Sequence, residues 1–227
     1  MGILFGGNMN FNKYFSSYNV NGIVQKKVAE TLSKMFSEDM EKYENILEIG
    51  CGTGFFAREL IKKVRSSSLT VNDLFDTRNY LNDIQYKEFL HGDMKKFLNK
   101  KYDYIVSSSC FQWSDNLDEL LKLISLCSKN LAFSIYLKGN MKEIKSHFGV
   151  GLKYYNKDEI TFMLKRYFKN VSCFEEEIVL SFDNPFEVLR HIKMTGTALG
   201  TGVPISKIKS YRGTKLTYKI GYFKVSL

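Results

Sequence analysis

Apolar side chains fall along this chain in two rhythms, and their alternation defines a fold class. Residues 22–36 carry Val24, Val28, Leu32 and Met35 on one helical stripe. The run Asn45-Ile46-Leu47-Glu48-Ile49 predicts a buried strand over 45–50, and Phe55, Phe56, Leu60, Ile61 and Val64 then make an amphipathic helix. Leu69 to Asp73 reads as a second strand ending on an acid, and Tyr86 to Leu90 as a third. Tyr102 to Val106 reads as a fourth, running into Ser107-Ser108-Ser109. Leu117, Leu120, Leu121 and Ile124 place a helix over 115–127, capped by Ser114 or Asp115. Leu131 to Leu137 is strand five, and 139–155 reads as irregular and basic. A helix over 157–167, a strand over 171–182, a helix over 185–194 and a strand over 216–225 close the order. Strands alternating with helices predict an α/β fold, a doubly wound, seven-stranded, mostly parallel sheet covered on both faces.

The turn between the first strand and its helix narrows this further. It reads Gly50-Cys51-Gly52-Thr53-Gly54. Glycine there permits positive φ and lets a ligand approach bare backbone, at a helix start whose N–H groups are unpaired. The spacing is G-x-G-x-G, unlike the G-x-G-x-x-G of dinucleotide-binding loops. With Glu48 two residues before the first glycine, it has the form found in S-adenosylmethionine-dependent methyltransferases. That cofactor's ribose diol needs a carboxylate at the end of strand two, where Asp73 stands, 19 residues beyond Gly54. Asp93 and Met94, after strand three, suit the adenine amino group and ring. Glu48 would attract the ammonium, directly or through backbone and water. Gly50, Cys51, Gly52 and Gly54 would cradle the cofactor, with Ser109 at the end of strand four. Phe111 and Trp113 follow, offering π faces that tolerate a cation. No Asn-Pro-Pro-Tyr motif stands there, which argues against methylation of amino groups on adenine or glutamine.

Composition changes the picture in three places. The chain has 227 residues and only two prolines, with no repeats or low-complexity linker, so a single domain is expected over 1–227. Within it, 9–40 would form an N-terminal helical lid, 45–137 the cofactor-binding core, and 138–215 an insertion and substrate cap. Residues 1–8 resemble an appended leader, with Met9 as the natural start. Cys51, Cys110, Cys127 and Cys173 are widely separated, which supports neither a metal site nor a disulfide framework. No apolar run reaches the roughly 20 residues of a membrane span, and a cytoplasmic location is expected. Net charge is +9, which fits an acidic partner or a Lys-rich proteome equally well.

Four segments carry a resemblance beyond the cofactor half. They are Phe11-Asn12 through Ser17-Tyr18-Asn19 to Val24-Gln25; Phe111-Gln112-Trp113; Phe182-Asp183-Asn184-Pro185 through Leu189-Arg190-His191-Ile192-Lys193-Met194-Thr195-Gly196; and Leu216-Thr217-Tyr218 with Tyr222. Together they resemble the malonyl-acyl carrier protein O-methyltransferases of biotin synthesis, from about residue 11 to residue 226. The resemblance implies the Rossmann-like class I methyltransferase fold and S-adenosylmethionine as cofactor. It implies methyl transfer to the free carboxylate of a malonyl thioester, borne by acidic acyl carrier protein or coenzyme A. It implies catalytic roles for Tyr18, Trp113, Lys153 and Arg190; a monomer with no nucleic-acid or membrane partner is expected besides. Lys138, Lys142, Lys145, Arg190, Lys193, Lys207, Lys209 and Arg212 would steer the carrier. Two positions depart from the family: Ser128-Lys129-Asn130 replaces a Pro-Gly turn, and Lys153-Tyr154 replaces Arg-aromatic. Lys153 would grip the malonyl carboxylate as a point charge, without the bidentate fork of arginine. Two other readings compete: a methyltransferase for another small carboxylate or metabolite, and a nucleic-acid methyltransferase.

Overall fold

The computed structural model describes residues 18–36, 38–195 and 203–227. The expectations for Phe11, Tyr14, Phe15 and Gly196, and for the part of the N-terminal lid before residue 18, lie outside them. A helical turn at 18–21 leads into α1 (Ile23–Ser33), followed by β1 (Ile46–Ile49), α2 (Phe55–Leu60) and β2 (Leu69–Asp73). Then come β3 (Glu88–His91), β4 (Tyr104–Ser108), α3 (Leu117–Cys127), β5 (Asn130–Tyr136), α4 (Lys142–Phe148) and α5 (Lys157–Lys165). The chain closes with β6 (Asn170–Ser181), α6 (Pro185–Met194), α7 (Ile205–Ser210) and β7 (Lys215–Ser226).

The seven strands form one sheet in the order β3-β2-β1-β4-β5-β7-β6. Strands β1 to β5 pair in parallel, and β7 inserts antiparallel between β5 and β6. All four residues of β1 are buried, because successive strand side chains point to opposite faces and both faces are covered. Ile46 joins Val24, Val28, Leu32 and Phe56 on the face of α1 and α2. Leu47 and Ile49 join Leu120, Leu121, Ile160 and Leu164 on the face of α3 and α5. The order of strands reverses at β1 and β4, and an open α/β sheet leaves its ligand crevice outside the carboxyl ends of strands at such a point.

Two local expectations are corrected. Segment 139–155 is not irregular throughout: α4 occupies Lys142–Phe148, entered through Met141 at φ +49° and closed by Gly149 at φ +73°. Its apolar pair Ile144 and Phe148 is buried, four residues apart, a short stripe hidden among lysines. Helix α3 is capped neither by Ser114 nor by Asp115; Asn116 accepts a hydrogen bond from the Glu119 N–H at 3.1 Å. Ser114 and Asp115 instead line the cleft below.

Candidate active site

The cleft opens at the carboxyl ends of β1, β2 and β4 and encloses about 250 Å³. The glycine turn forms its floor. Gly50, at φ +71°, meets the Cys110 side chain so closely that a Cβ would lie 2.3 Å from its Sγ. Gly52, at φ +52°, has nothing within 4 Å of such a Cβ, so its bare face is the one presented to the cleft. The loop is held from both sides: Cys51 N–H donates to Asn72 O at 2.9 Å, and Gly52 N–H donates to Asp73 Oδ2 at 2.8 Å. Arg58 braces it from behind, donating to Thr53 O, Tyr80 O and both oxygens of Asp83.

Of the residues expected from sequence, Tyr18, Glu48, Gly50, Cys51, Gly52, Asp73, Asp93, Met94, Ser109 and Trp113 all line this one cleft. Gly54 does not; it is the N-cap of α2, packed under Ile84 and Leu81. Phe111 is a correction. It is buried in the core on the α3 side, its ring 5.1 Å from Phe133, and offers no face to the cleft. Lys153 and Arg190 are not brought to the cleft either. Lys153 is exposed, its ammonium 6.0 Å from the centre of the Tyr155 ring, and Arg190 is exposed on α6. Lys95, which does line the cleft, pairs with Glu119 at 2.9 Å.

Charge is distributed unevenly. Glu48 is 1 % exposed and its Oε2 has no hydrogen-bond partner. Burial pushes its carboxyl up to about 8, and the neighbouring Asp73 adds to the shift. Asp73 is also raised by burial, but the N–H groups of Phe75 and Gly52 oppose that by bonding its anion. Burial pushes the Cys110 thiol up to about 12 and raises the Tyr18 phenol, so both stay protonated at neutral pH. One end of the cleft therefore holds paired carboxylates awaiting a cation and hydroxyl donors. Tyr18, Gln25 and Ser109 line the same cleft, the Tyr18 phenol near enough to Asp73 to feel its charge.

Sequence reasoning missed Gln25, Asn72, Thr53 and Ser114 in the lining. Gln25 carried a usable signal, as a polar residue beside Val24 on a stripe that the helix buries. Asn72 ties β2 to the turn after β3 through Leu90 O at 2.8 Å and Gly92 O at 3.0 Å. That is a cross-strand contact no local pattern encodes.

The methyltransferase-domain family matches residues 20–176. Solved structures agree in fold: a putative methyltransferase from Bacillus halodurans superposes with a TM-score of 0.62 at 15% identity, over 87% of this chain and 97% of that one. The YcgJ protein of Bacillus subtilis gives 0.64 at 9% identity, over 88% and 97%. Fold and cleft thus define a class I, Rossmann-like methyltransferase with S-adenosylmethionine as its cofactor. A malonyl-[acyl-carrier protein] O-methyltransferase of Calditerrivibrio nitroreducens is 33% identical over 96% of this chain and 94% of its own. Its Bacteroides thetaiotaomicron counterpart is 33% identical over 82% and 75%. The chain belongs to the malonyl-[acyl-carrier protein] O-methyltransferase family.

Proposed function

We propose that this enzyme methylates the free carboxylate of a malonyl thioester on acyl carrier protein, an early step of biotin synthesis. The observation that carries the reading is the 33% identity to a malonyl-[acyl-carrier protein] O-methyltransferase over 96% of this chain, joined to a cleft that fits S-adenosylmethionine. Tyr18, Gln25, Ser109 and Cys110 line that cleft with Glu48 and Asp73, and burial keeps the Tyr18 phenol and the Cys110 thiol protonated at neutral pH. An amine or alcohol acceptor would need a group to take its proton. A carboxylate is already ionised at pH 7 and needs none. The relatives' name supplies the malonyl carrier as the acceptor.

When bound, S-adenosylmethionine supplies a methyl group on a sulfonium, which passes to a carboxylate oxygen as the carbon–sulfur bond breaks and its electron pair returns to sulfur. The residues present fit that cofactor: an unpartnered, buried Glu48 oxygen for the ammonium, Asp73 for the ribose diol, and the bare Gly52 face between them. Asp93 and Met94 stand where the adenine amino group and ring would lie. Tyr18 and Trp113 wall the cleft, excluding water and aligning the acceptor oxygen with the methyl.

Labelled methyl transfer to malonyl carrier protein, malonyl-coenzyme A and free malonate, compared side by side, tests the reading. Efficient transfer to the carrier-bound acid is expected. Activity confined to free acids or to a non-acid acceptor would overturn it.

A further inference from the structure

Three buried polar side chains in and behind the cleft form a group of their own. Gln25 is 7% exposed and its Oε1 has no hydrogen-bond partner; the same holds for Ser109 Oγ and for the hydroxyl of Tyr136, itself 9% exposed. Gln25 and Ser109 line the cleft, and both side chains lie close enough to the Tyr136 hydroxyl to ease its ionisation without completing a bond of good geometry. Ser109 is also held at φ +53°, a conformation that costs a serine energy. Its own N–H is fastened there by Ser134 O and Ser134 Oγ, each at 3.1 Å. Behind Tyr136 the wall is rigid: the Tyr218 ring lies 6.0 Å away, and its hydroxyl is 2.9 Å from His191 Nε2.

Resting on the reading that the acceptor is a carboxylate, we propose that Gln25, Ser109 and Tyr18, backed by Tyr136, form its binding pocket, a set of neutral hydrogen-bond donors; the one cation among the described lining residues, Lys95, is paired with Glu119. Unsatisfied buried groups from α1, the turn after β4 and the end of β5 converge there: the Ser109 and Tyr136 hydroxyls, which can donate, and the Gln25 amide, whose oxygen is the unpartnered atom and whose NH2 can donate. Among the described residues, Lys153 and Arg190, the two cations the sequence suggested, stay exposed. Charge balance explains why a neutral pocket suits the chemistry. The acceptor's negative charge and the cofactor's positive charge disappear together. A buried cation beside the acceptor would be left unpaired against a neutral ester, an unfavourable state for a charge held out of water. Neutral donors bond the anion before transfer and the ester carbonyl afterwards. Burial raises both the Tyr136 and the Tyr18 phenol, so both are protonated donors at neutral pH.

Two measurements on the full chain test this. The first is calorimetric binding of malonyl-coenzyme A and of acetyl-coenzyme A, which lacks the carboxylate, to wild-type, Lys95→Met and Lys153→Met enzyme loaded with S-adenosylhomocysteine. A neutral pocket predicts that both variants keep the wild-type preference for the malonyl group. Loss of that preference in either variant would show that a lysine holds the carboxylate. The second is kcat/KM of Tyr136→Phe and Gln25→Met on malonyl-coenzyme A, succinyl-coenzyme A and free malonate. Each variant is expected to lose about tenfold or more on whichever carboxylate the wild type methylates, with S-adenosylhomocysteine affinity and melting temperature unchanged. Loss on a carboxylate other than malonyl supports the pocket and removes the malonyl reading. Unaltered kcat/KM in both variants overturns the pocket while the malonyl reading stands, and methylation of amines or alcohols alone overturns both.

Discussion

Glu48 is the residue on which the cofactor end turns. Its carboxyl is raised from an ordinary 4.5 to about 8 because it is buried without a partner. A raised acid favours the protonated folded state, so its contribution to stability is complete below pH 4.5 and fades as pH climbs toward 8. The cofactor-free enzyme should therefore melt at lower temperature as pH rises through that window, and Glu48→Gln should flatten the trend in a pH series of melting curves. An amine ligand needs the anion. S-adenosylmethionine affinity should thus rise with pH up to about 8, with proton release visible as a buffer-dependent heat, and Glu48→Gln should lose both effects. Asp73→Ala removes two hydrogen bonds to a charged acceptor, each worth about 1.5–3 kcal/mol. A titration should show at least a tenfold weaker complex; unchanged affinity would move the diol elsewhere. Glycine turn, Glu48 and Asp73 were legible because they are local to a strand and its turn. Gln25 and Tyr136 were not, because 25, 109 and 136 meet only through the sheet order, and each alone reads as a buried position on an amphipathic element.

Elements were legible wherever their period ran long enough to be counted. Strand β2 and helix α6 occupy the residues their patterns predict, 69–73 and 185–194. Helix α4 has barely two turns and one apolar pair, so its seven residues left no period to read. Phe111 shows the opposite failure. Its motif neighbours Gln112 and Trp113 suggested a site, yet a 3-10 turn over Phe111–Trp113 sends the phenylalanine to the core and the tryptophan to the cleft. Local start signals matter for α5, whose capping box has Asn156 accepting from Glu159 N–H at 2.8 Å while Glu159 accepts from Asn156 N–H at 2.7 Å. Asn156→Ala should cost about 1 kcal/mol and lower the melting temperature by about 2–4 °C. Methyl transfer should be unaffected, since α5 packs away from the cleft. A collapse in activity without loss of stability would mean that α5 positions the acceptor.

At the scale of the molecule, acidic and basic side chains gather on particular elements. Strand β6 carries Glu175, Glu176 and Glu177, answered by Lys219, Lys27 and Lys142. On α7, Lys207 and Lys209 are exposed beside Ile205 and Ile208, and His147 Nε2 lies 2.9 Å from Lys207 O, joining α4 to α7. An acidic carrier would be drawn to this basic corner. The double variant Lys207→Glu, Lys209→Glu should raise KM for malonyl carrier protein by about tenfold or more and remove its salt dependence. It should leave malonyl-coenzyme A kinetics near wild type; equal losses on both would place these lysines elsewhere in the reaction.

Strands β6 and β7 pair along twelve residues, but β5 supports β7 only as far as Ile220. Beyond it, residues 215–219 and their β6 partners run on as a two-stranded arm packed against the core, held by Leu137 N–H on Lys219 O, Met141 N–H on Thr217 O and Thr217 N–H on Glu143 Oε2. Helices α6 and α7 sit at the end of that arm. Leu216 and Tyr218 lie in the same apolar cluster as Val28 of α1 and Ile144 of α4, so the arm is braced along its length. A carrier that presses on α7 therefore loads the close-packed core itself through β7, and a tightly packed interior transmits strain.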